Sequence, residues 1–267
     1  MSTKTTIDPA EAAHFDRLAH AWWDPDGPFW PLHRLNRLRA GYISERLSAR
    51  FGRSANRAVP LQGIRLLDIG CGGGLLSEAM ARLGAEVHGV DMVEKNIRIA
   101  QQHAEASGLA IRYTCGTAEG LAEQGESYDA VLNLEVVEHV ADLPLFMSAC
   151  GRLVRPGGLM VIGTLNRTAA SFLTAIVGAE YVLRWLPKGT HHWRKFPKPE
   201  ELEGMLLESG MRVFDRTGVK IDPFTRKFRL SPGMAGRSRS AKPEVPYTSR
   251  ASRSSFPPVF GGLPEAK

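Results

Sequence analysis

Apolar residues through the middle of the chain alternate between short strand-like runs and longer segments with helical spacing. Five runs have the length and composition of buried strands: "RLLDIG", "EVHGVD", "IRYTCG", "YDAVLNLE" and "LMVIGTL". Segments such as "LLSEAMARLG" and "VEKNIRIAQQHAEASG" lie between them and read as amphipathic helices that end at glycine. This alternation predicts a parallel sheet covered on both faces, which right-handed crossovers make a doubly wound α/β fold.

Both ends of the chain depart from this alternation. Residues 9–50 are predicted to form helices broken by "DPDGPFWP", whose aromatic neighbours either cover the main domain or form a lid over a pocket. The segment 166–195 after the fifth strand is too long for a simple loop and predicts a helical insertion. We therefore expect an N-terminal helical lid at 1–50, a main domain at 51–233 and a disordered tail at 234–267.

Charge and cysteine content narrow the classes of partner and compartment. The net charge is +6, but the tail holds six Lys or Arg against two Glu, so the other 233 residues carry only +2. The basic excess accompanies no aromatic stacking motif, so we expect no nucleic-acid partner. Three scattered cysteines, no signal-peptide pattern and no long apolar run indicate a cytoplasmic protein without a targeting segment.

The first predicted strand ends in a glycine-rich turn, "LLDIGCGGG", which contains Gly70 and Gly72. Glycine lets the backbone turn sharply and approach a ligand closely. Asp91 ends the second strand, where its carboxylate could accept hydrogen bonds from both hydroxyls of a ribose or could cap the next helix. A dinucleotide prefers a small residue where Leu75 stands, whereas S-adenosylmethionine has the ribose but no phosphate.

Four motifs, "DIGCGGG", "GVD", "GTAEGL" and "RLVRPGG", resemble in kind and order those of class I S-adenosylmethionine-dependent methyltransferases. Longer stretches, among them "WWDPDGPFWPLHRLNRLRAGYI", "EVVEHV" and "TLNRTAASFLTAIVGAEYVLRWLPKGTH", resemble the ubiquinone biosynthesis O-methyltransferase family from about Phe15 to about Gly233. The resemblance implies a Rossmann-like class I methyltransferase fold with S-adenosyl-L-methionine as cofactor. It implies methylation of a ring hydroxyl on two substrates, 2-polyprenyl-6-hydroxyphenol and 3-demethylubiquinol. Other ubiquinone biosynthesis enzymes are candidate partners.

The resemblance also assigns cofactor-binding residues. Arg39 would contact the carboxylate end of the cofactor, although alone it reads as a surface helix cation. Gly70 would line the methionine part, with Gly72 in the same turn, and Asp91 would bind the ribose. Leu134 matches a cofactor contact after the fourth strand.

The stretch "EVVEH" places Glu135, Glu138 and His139 at the end of the fourth strand, on one face if the chain is helical there. One interpretation is purely structural. A second is acid–base catalysis, with His139 accepting the phenolic proton. A third, which the resemblance favours, is a divalent cation site, expected for Mg²⁺, that holds adjacent ring oxygens of the substrate.

The insertion and the tail carry two further expectations. Residues 166–195 combine an apolar stripe with a basic flank, which suits either a helix packed on the enzyme or peripheral membrane association. A lipid-soluble polyprenyl substrate favours the membrane. After "RLSPG" the sequence departs from the family, which continues into a further strand; the residues at 234–267 are a divergent tail or a shifted reading frame. Loss of that strand would expose a sheet edge.

Overall fold

The computed structural model describes residues 6–164, 197–222, 225 and 227–232. The predicted insertion at 166–195 and the predicted tail at 234–267 lie outside the described residues. Their helical, membrane-binding and disordered character therefore stays a prediction, as does the division of the chain into lid, main domain and tail.

Five parallel strands form the central sheet: β1 (Arg65–Ile69), β2 (Glu86–Asp91), β3 (Arg112–Cys115), β4 (Tyr128–Leu134) and β5 (Val154–Gly163). They lie in the order β3–β2–β1–β4–β5. This confirms the predicted α/β class. The strand order reverses between β1 and β4, the point at which ligands bind in doubly wound sheets.

The sheet separates two apolar layers because neighbouring strand residues face opposite ways. Leu66 and Leu132 pack with helix residues such as Ile43 on one face, whereas Leu67 and Val131 pack on the other. All five are nearly inaccessible to solvent, so the centre of the sheet is buried on both faces.

Helices connect the strands on both faces: α3 (Leu75–Arg82), α4 (Glu94–Ala106), α5 (Ala118–Glu123), α6 (Leu143–Leu153) and, later in the chain, α7 (Pro199–Glu208). Asp142 accepts a hydrogen bond from the backbone N–H of Leu145 at 3.0 Å and so caps α6, and Thr117 caps α5 in the same way. The sequence pattern did not predict the short helix α5. The predicted run "LMVIGTL" also starts too late, because β5 already begins at Val154.

The N-terminal segment forms two helices, as predicted: α1 (Pro9–Leu18), followed by a short 3-10 turn, and α2 (Trp30–Arg50). Between them Trp22 stacks on Phe29 with ring centroids 3.9 Å apart. The Trp23 indole N–H donates to the carbonyl of Gly73 at 2.8 Å. The aromatic segment therefore covers the glycine-rich turn at the end of β1.

A separate antiparallel hairpin contains β6 (Thr217–Asp222) and β7 (Lys227–Pro232). The stretch "MRVFDRTGVKI" at 211–221 has the composition of a strand, but only its second half is paired, within β6, and local composition does not indicate β7. Within the described part of the chain, β5 pairs with β4 alone and so forms an edge of the central sheet.

Candidate active site

A cavity of about 1530 Å³ opens beside the carboxyl ends of β1 and β4. This is where the reversal of strand order predicts a ligand site. Every predicted site residue except the buried Glu138 lines the cavity: Arg39, Gly70, Gly72, Asp91, Leu134, Glu135 and His139.

The glycine-rich turn is shaped by left-handed backbone and by contact with protein side chains. Gly70 and Gly72 have φ angles of 67° and 54°, which favour glycine. A Cβ at Gly70 would lie 2.6 Å from a methyl of Val136, and one at Gly72 would lie 2.4 Å from the Trp22 ring. Glycine is therefore required here by Trp22, between α1 and α2, and by the turn after β4, in addition to any ligand.

Asp91 has a highly organised carboxylate. It accepts hydrogen bonds from the backbone N–H of Gly72 at 2.9 Å, from that of Val93 at 2.9 Å and from the Asn96 amide at 3.1 Å. Burial raises the pKa of Asp91, and these hydrogen bonds oppose the rise. A carboxylate has about four acceptor sites, so capacity remains for a hydroxyl group. The Val93 contact shows that Asp91 also supports the entry to α4.

Asn96 also links this carboxylate to the N-terminal aromatic segment. Its side-chain oxygen accepts a hydrogen bond from the Trp22 indole N–H at 2.8 Å, while its amide donates to Asp91. No sequence motif indicates Asn96 as a site residue. Its position five residues after Asp91, in the first turn of α4, is the only local signal, and the link to Trp22 spans 74 residues.

Arg39 forms an ion pair with Glu135 at the rim of the cavity. Glu135 adopts a left-handed φ of 57°, which is costly for a residue with a side chain. Its backbone N–H donates to the carbonyl of Gly163 at 2.7 Å, and this bond anchors the turn to β5. The structure thus brings together two predicted site residues whose mutual contact the sequence did not predict.

The stretch after β4 is a tight turn and not a helix, so Glu135, Glu138 and His139 do not share one helix face. The left-handed Glu135 and a hydrogen bond from His139 N–H to the Val136 carbonyl at 2.9 Å define this turn. Glu138 points into the protein, where one carboxyl oxygen accepts from the Thr164 hydroxyl at 3.0 Å. Burial, and then repulsion by Glu135, raise its pKa well above the usual range.

His139 is held by the N-terminal helix. Its Nδ1 lies 3.0 Å from a carboxyl oxygen of Glu11, and its ring meets Phe15 edge-on with centroids 5.3 Å apart. Neither residue was singled out from the sequence, because 128 residues separate Glu11 from His139.

The three predicted metal ligands have three different partners in the structure. Glu135 pairs with a cation, Glu138 bonds to a hydroxyl, and His139 contacts a carboxylate. In the described ranges, no three His, Cys, Asp or Glu side chains are grouped so that they could hold a metal ion. As they are placed, these residues do not fit a cation site. One oxygen of Glu138 has no hydrogen-bond partner among the described residues.

Comparison with known proteins gives consistent results at three levels. Residues 67–162 match a family described as a methyltransferase domain. The ubiquinone biosynthesis O-methyltransferase of Sinorhizobium medicae is 53% identical over 233 residues, which cover 87% of this chain and 94% of the relative. The protein of that name from Brucella anthropi is 52% identical over 252 residues, covering 94% and 98%.

Solved structures show the same fold at lower sequence identity. Magnesium protoporphyrin IX methyltransferase from Synechocystis PCC 6803, with bound SAH, aligns at a TM-score of 0.57 and 23% identity, covering 82% of this chain and 93% of its own. The plantazolicin methyltransferase BpumL aligns at a TM-score of 0.54 and 17% identity, covering 81% and 83%. These two similarities support the fold alone.

Proposed function

Because the chain belongs to the ubiquinone biosynthesis O-methyltransferase family, we propose that it moves a methyl group from S-adenosylmethionine to a ring hydroxyl of 2-polyprenyl-6-hydroxyphenol and of 3-demethylubiquinol. One observation supports this most directly. A single cavity combines the glycine-rich turn and Asp91 with His139, a side chain able to accept a proton.

The residues of the cofactor half fit S-adenosylmethionine. Asp91 keeps acceptor capacity for a ribose hydroxyl, and Gly70, in a left-handed turn, leaves backbone exposed at the cavity. Arg39 carries the positive charge suited to a carboxylate, and Leu134 adds an apolar contact surface. When bound, the cofactor supplies an electrophilic methyl group on its sulfonium.

The substrate half must hold a phenol and remove its proton. His139 is the nitrogen base among the predicted site residues of this cavity, so it is the proposed proton acceptor. Alignment of the ring hydroxyl in a water-poor cleft would supply most of the remaining acceleration. The buried Glu138 supports the turn through Thr164 instead of lining the cavity.

A methyl-transfer assay tests this proposal. Purified full-length protein should methylate a short-chain demethylubiquinol analogue with S-adenosylmethionine, and mass spectrometry should detect the methyl ether. Calorimetric titration with S-adenosylhomocysteine and with NADH provides the control, since only the former should bind. Binding of S-adenosylhomocysteine without product would retain a methyltransferase but reject this acceptor. Binding of NADH alone would favour a nicotinamide-dependent oxidoreductase.

A divalent cation, expected as Mg²⁺ from the family resemblance, is a separate proposal. The unpartnered oxygen of the buried Glu138 is compatible with it, but the contacts of Glu135 and His139 oppose it. Activity should be measured after EDTA treatment and after adding back Mg²⁺, Mn²⁺ or Zn²⁺. Full activity in EDTA would reject the cation, whereas loss and metal-specific recovery would require Glu135 and His139 to exchange their present partners.

Peripheral membrane association through residues 166–195 is likewise a proposal, as is a cytoplasmic location. It is supported by the lipid solubility of a polyprenyl substrate and by the apolar and basic composition of that segment. None of the helices in the described ranges is long and apolar enough to cross a bilayer. Vesicle flotation of the full chain should exceed that of a chain lacking 166–195, and equal flotation would reject the assignment.

A further inference from the structure

A buried amide joins the cofactor half of the cavity to the N-terminal aromatic segment (residues 19–29). Asn96, in the first turn of α4, is only 1% exposed and lines the cavity. Its side-chain nitrogen donates to Asp91 Oδ1 at 3.1 Å, and its side-chain oxygen accepts from the Trp22 indole N–H at 2.8 Å. All three side chains are buried, so water competes weakly for these two hydrogen bonds.

An amide side chain suits this position because its two neighbours need opposite partners. An indole N–H only donates hydrogen bonds, and an ionised carboxylate only accepts them. The Asn96 amide offers an acceptor oxygen to Trp22 and a donor nitrogen to Asp91, so the two contacts also fix which end of the amide faces which neighbour. Asn96 is therefore held at both ends.

The three hydrogen bonds on Asp91 are divided between its two carboxylate oxygens. The Val93 N–H and the Asn96 amide both donate to Oδ1, whereas the Gly72 N–H donates to Oδ2. Each carboxylate oxygen has about two acceptor sites, so the remaining capacity lies mainly on Oδ2. Rotation of the carboxylate would break the Asn96 contact. Asn96 thus helps to set the direction in which the carboxylate can accept a hydrogen bond from a ribose hydroxyl.

Trp22 is itself held in place by contacts that do not involve Asn96. Its ring stacks on Phe29 with centroids 3.9 Å apart, and its carbonyl oxygen accepts from Nε2 of His33 on α2 at 2.9 Å. The inner end of the Trp22 side chain also lies against Gly73. These contacts fix the position of the indole N–H, which can therefore orient the Asn96 amide.

We propose that Asn96 is a positioning residue for the ribose of the cofactor: it orients the Asp91 carboxylate and is itself oriented by Trp22. This inference rests on the proposed function, which assigns the ribose to Asp91. It makes cofactor affinity depend on the docked position of the aromatic segment. By thermodynamic linkage, binding of the cofactor stabilises that docked position by the same factor.

Asn96→Leu is the informative substitution, because it nearly keeps the side-chain shape while removing both hydrogen bonds. Gln101→Leu is the matched control, since it replaces an exposed amide on the same helix. Calorimetric titration compares S-adenosylhomocysteine with its 2′,3′-dideoxy analogue, which lacks both ribose hydroxyls. We expect N96L to bind S-adenosylhomocysteine roughly 10-fold more weakly than the parent does, and the dideoxy analogue within about twofold. Q101L should resemble the parent for both ligands.

Trp22→Phe provides a second variant, which keeps an aromatic ring but lacks the indole N–H. W22F should bind S-adenosylhomocysteine about two- to fivefold more weakly, again with little change for the dideoxy analogue. A general disturbance of the fold would weaken both ligands by equal factors. The ratio of the two dissociation constants therefore separates positioning of the ribose from support of the fold.

Hydrogen exchange measures the reciprocal effect on the aromatic segment. In the parent, exchange of the backbone amides at residues 19–29 should slow more with saturating S-adenosylhomocysteine than with the saturating dideoxy analogue. In N96L the two ligands should have equal effects. A difference as large in N96L as in the parent would reject the link between the ribose and Trp22.

The ratio of dissociation constants decides the role of Asn96, and a parent-like ratio in N96L would overturn the proposal whatever the absolute affinities. If N96L does not fold, the ratio in W22F decides in its place. A change in N96L without one in W22F would retain the role of Asn96 and reject that of Trp22. If S-adenosylhomocysteine binds but no acceptor is methylated, the proposed reaction alone fails. If S-adenosylhomocysteine does not bind, both proposals are rejected.

Discussion

At the scale of single residues, the guanidinium of Arg39 has two competing carboxylate partners. Arg39 pairs with Glu135 in the structure, whereas the family resemblance assigns Arg39 to the carboxylate end of the cofactor. A guanidinium can hold one carboxylate in a forked geometry, but a second one must displace or share the first. Cofactor binding should therefore loosen Glu135, whose left-handed backbone is already strained.

This competition predicts opposite effects of two substitutions on affinity for S-adenosylhomocysteine. Arg39→Ala should weaken binding roughly 10- to 100-fold, since a charge-assisted hydrogen bond contributes about 1.5–3 kcal/mol. Glu135→Gln should leave affinity unchanged or raise it a few-fold. Calorimetric titration measures both, with Arg37→Ala, an exposed cation on the same helix, as control. Equal affinities of R39A and R37A would contradict the assignment.

Burial makes the contribution of the Asp68 carboxyl to stability depend on pH. Burial raises its pKa to about 6, although the Ser77 hydroxyl, which donates at 2.6 Å, lowers it. Between the unfolded value near 4 and about 6, the folded state alone keeps the proton, so the contribution of Asp68 to stability falls as pH rises.

The substitution Asp68→Asn should remove this pH dependence, since an amide does not titrate. The stability difference, parent minus D68N, should fall by about 3 kcal/mol in total from below pH 4 to about pH 7, where Asp68 is ionised in both states, and stay level above that pH. Urea unfolding at each pH measures it, with the exposed Asp16→Asn as the control for charge loss. A difference independent of pH would show that the proton is not held in the folded state.

At the scale of elements, the aromatic segment between α1 and α2 packs closely against the glycine-rich turn. A Cβ at Gly73 would lie 2.4 Å from both Cβ and Cγ of Trp22, atoms near the backbone that cannot rotate away. The φ of Gly73 is not positive, so alanine there meets only this steric conflict. The turn thus needs a small residue because α1 and α2 place an indole on it.

A double-mutant cycle tests this fit. Gly73→Ala should lower the free energy of unfolding by about 1–3 kcal/mol in the parent and by much less in a Trp22→Ala background. Gly41→Ala on α2 is the control, because no atom lies within 4 Å of its added Cβ. If the losses in free energy of unfolding in G73A and W22A are additive, Trp22 does not pack against residue 73.

Elements differ in how far their sequence reveals them. The strands β1 to β4 and the helices α3, α4 and α6 follow from local periodicity, which needs no knowledge of the rest of the fold. Helix α5 is only six residues long, and among the described residues β7 pairs with β6 alone, so neither has a strong local signal. The sequence also leaves open whether "EVVEH" is helical, because a glutamate gives no indication of the left-handed conformation that Glu135 adopts.

At the scale of the whole molecule, the sequence indicated which residues surround the cavity but not which of their side chains contact each other. Motifs place seven predicted residues around one cavity, because parallel strands bring their carboxyl ends to the same edge. The contacts that decide chemistry join distant segments: Arg39 with Glu135, and Glu11 with His139. Such pairs depend on how α1 and α2 dock across the sheet, which no local pattern specifies.

Charge distribution gives the last prediction at this scale. Removal of residues 234–267 takes away +4 of the net charge of +6. A truncated chain should bind anionic vesicles less tightly, because each cation near such a surface contributes about 1 kcal/mol. It should still float with uncharged phosphatidylcholine vesicles, since the proposed apolar contact lies at 166–195.

A double substitution in the segment 166–195 tests the proposed apolar contact. The variant Leu183→Ser/Trp185→Ser should no longer float with uncharged vesicles. Leu207→Ser with Ile221→Ser is the control, because these two side chains are 55% and 50% exposed in the described part of the chain. Flotation that disappears on truncation and survives L183S/W185S would assign the anchor to the tail. Loss in L183S/W185S alone would assign polyprenyl capture to the segment that follows Thr164, a residue that lines the cavity.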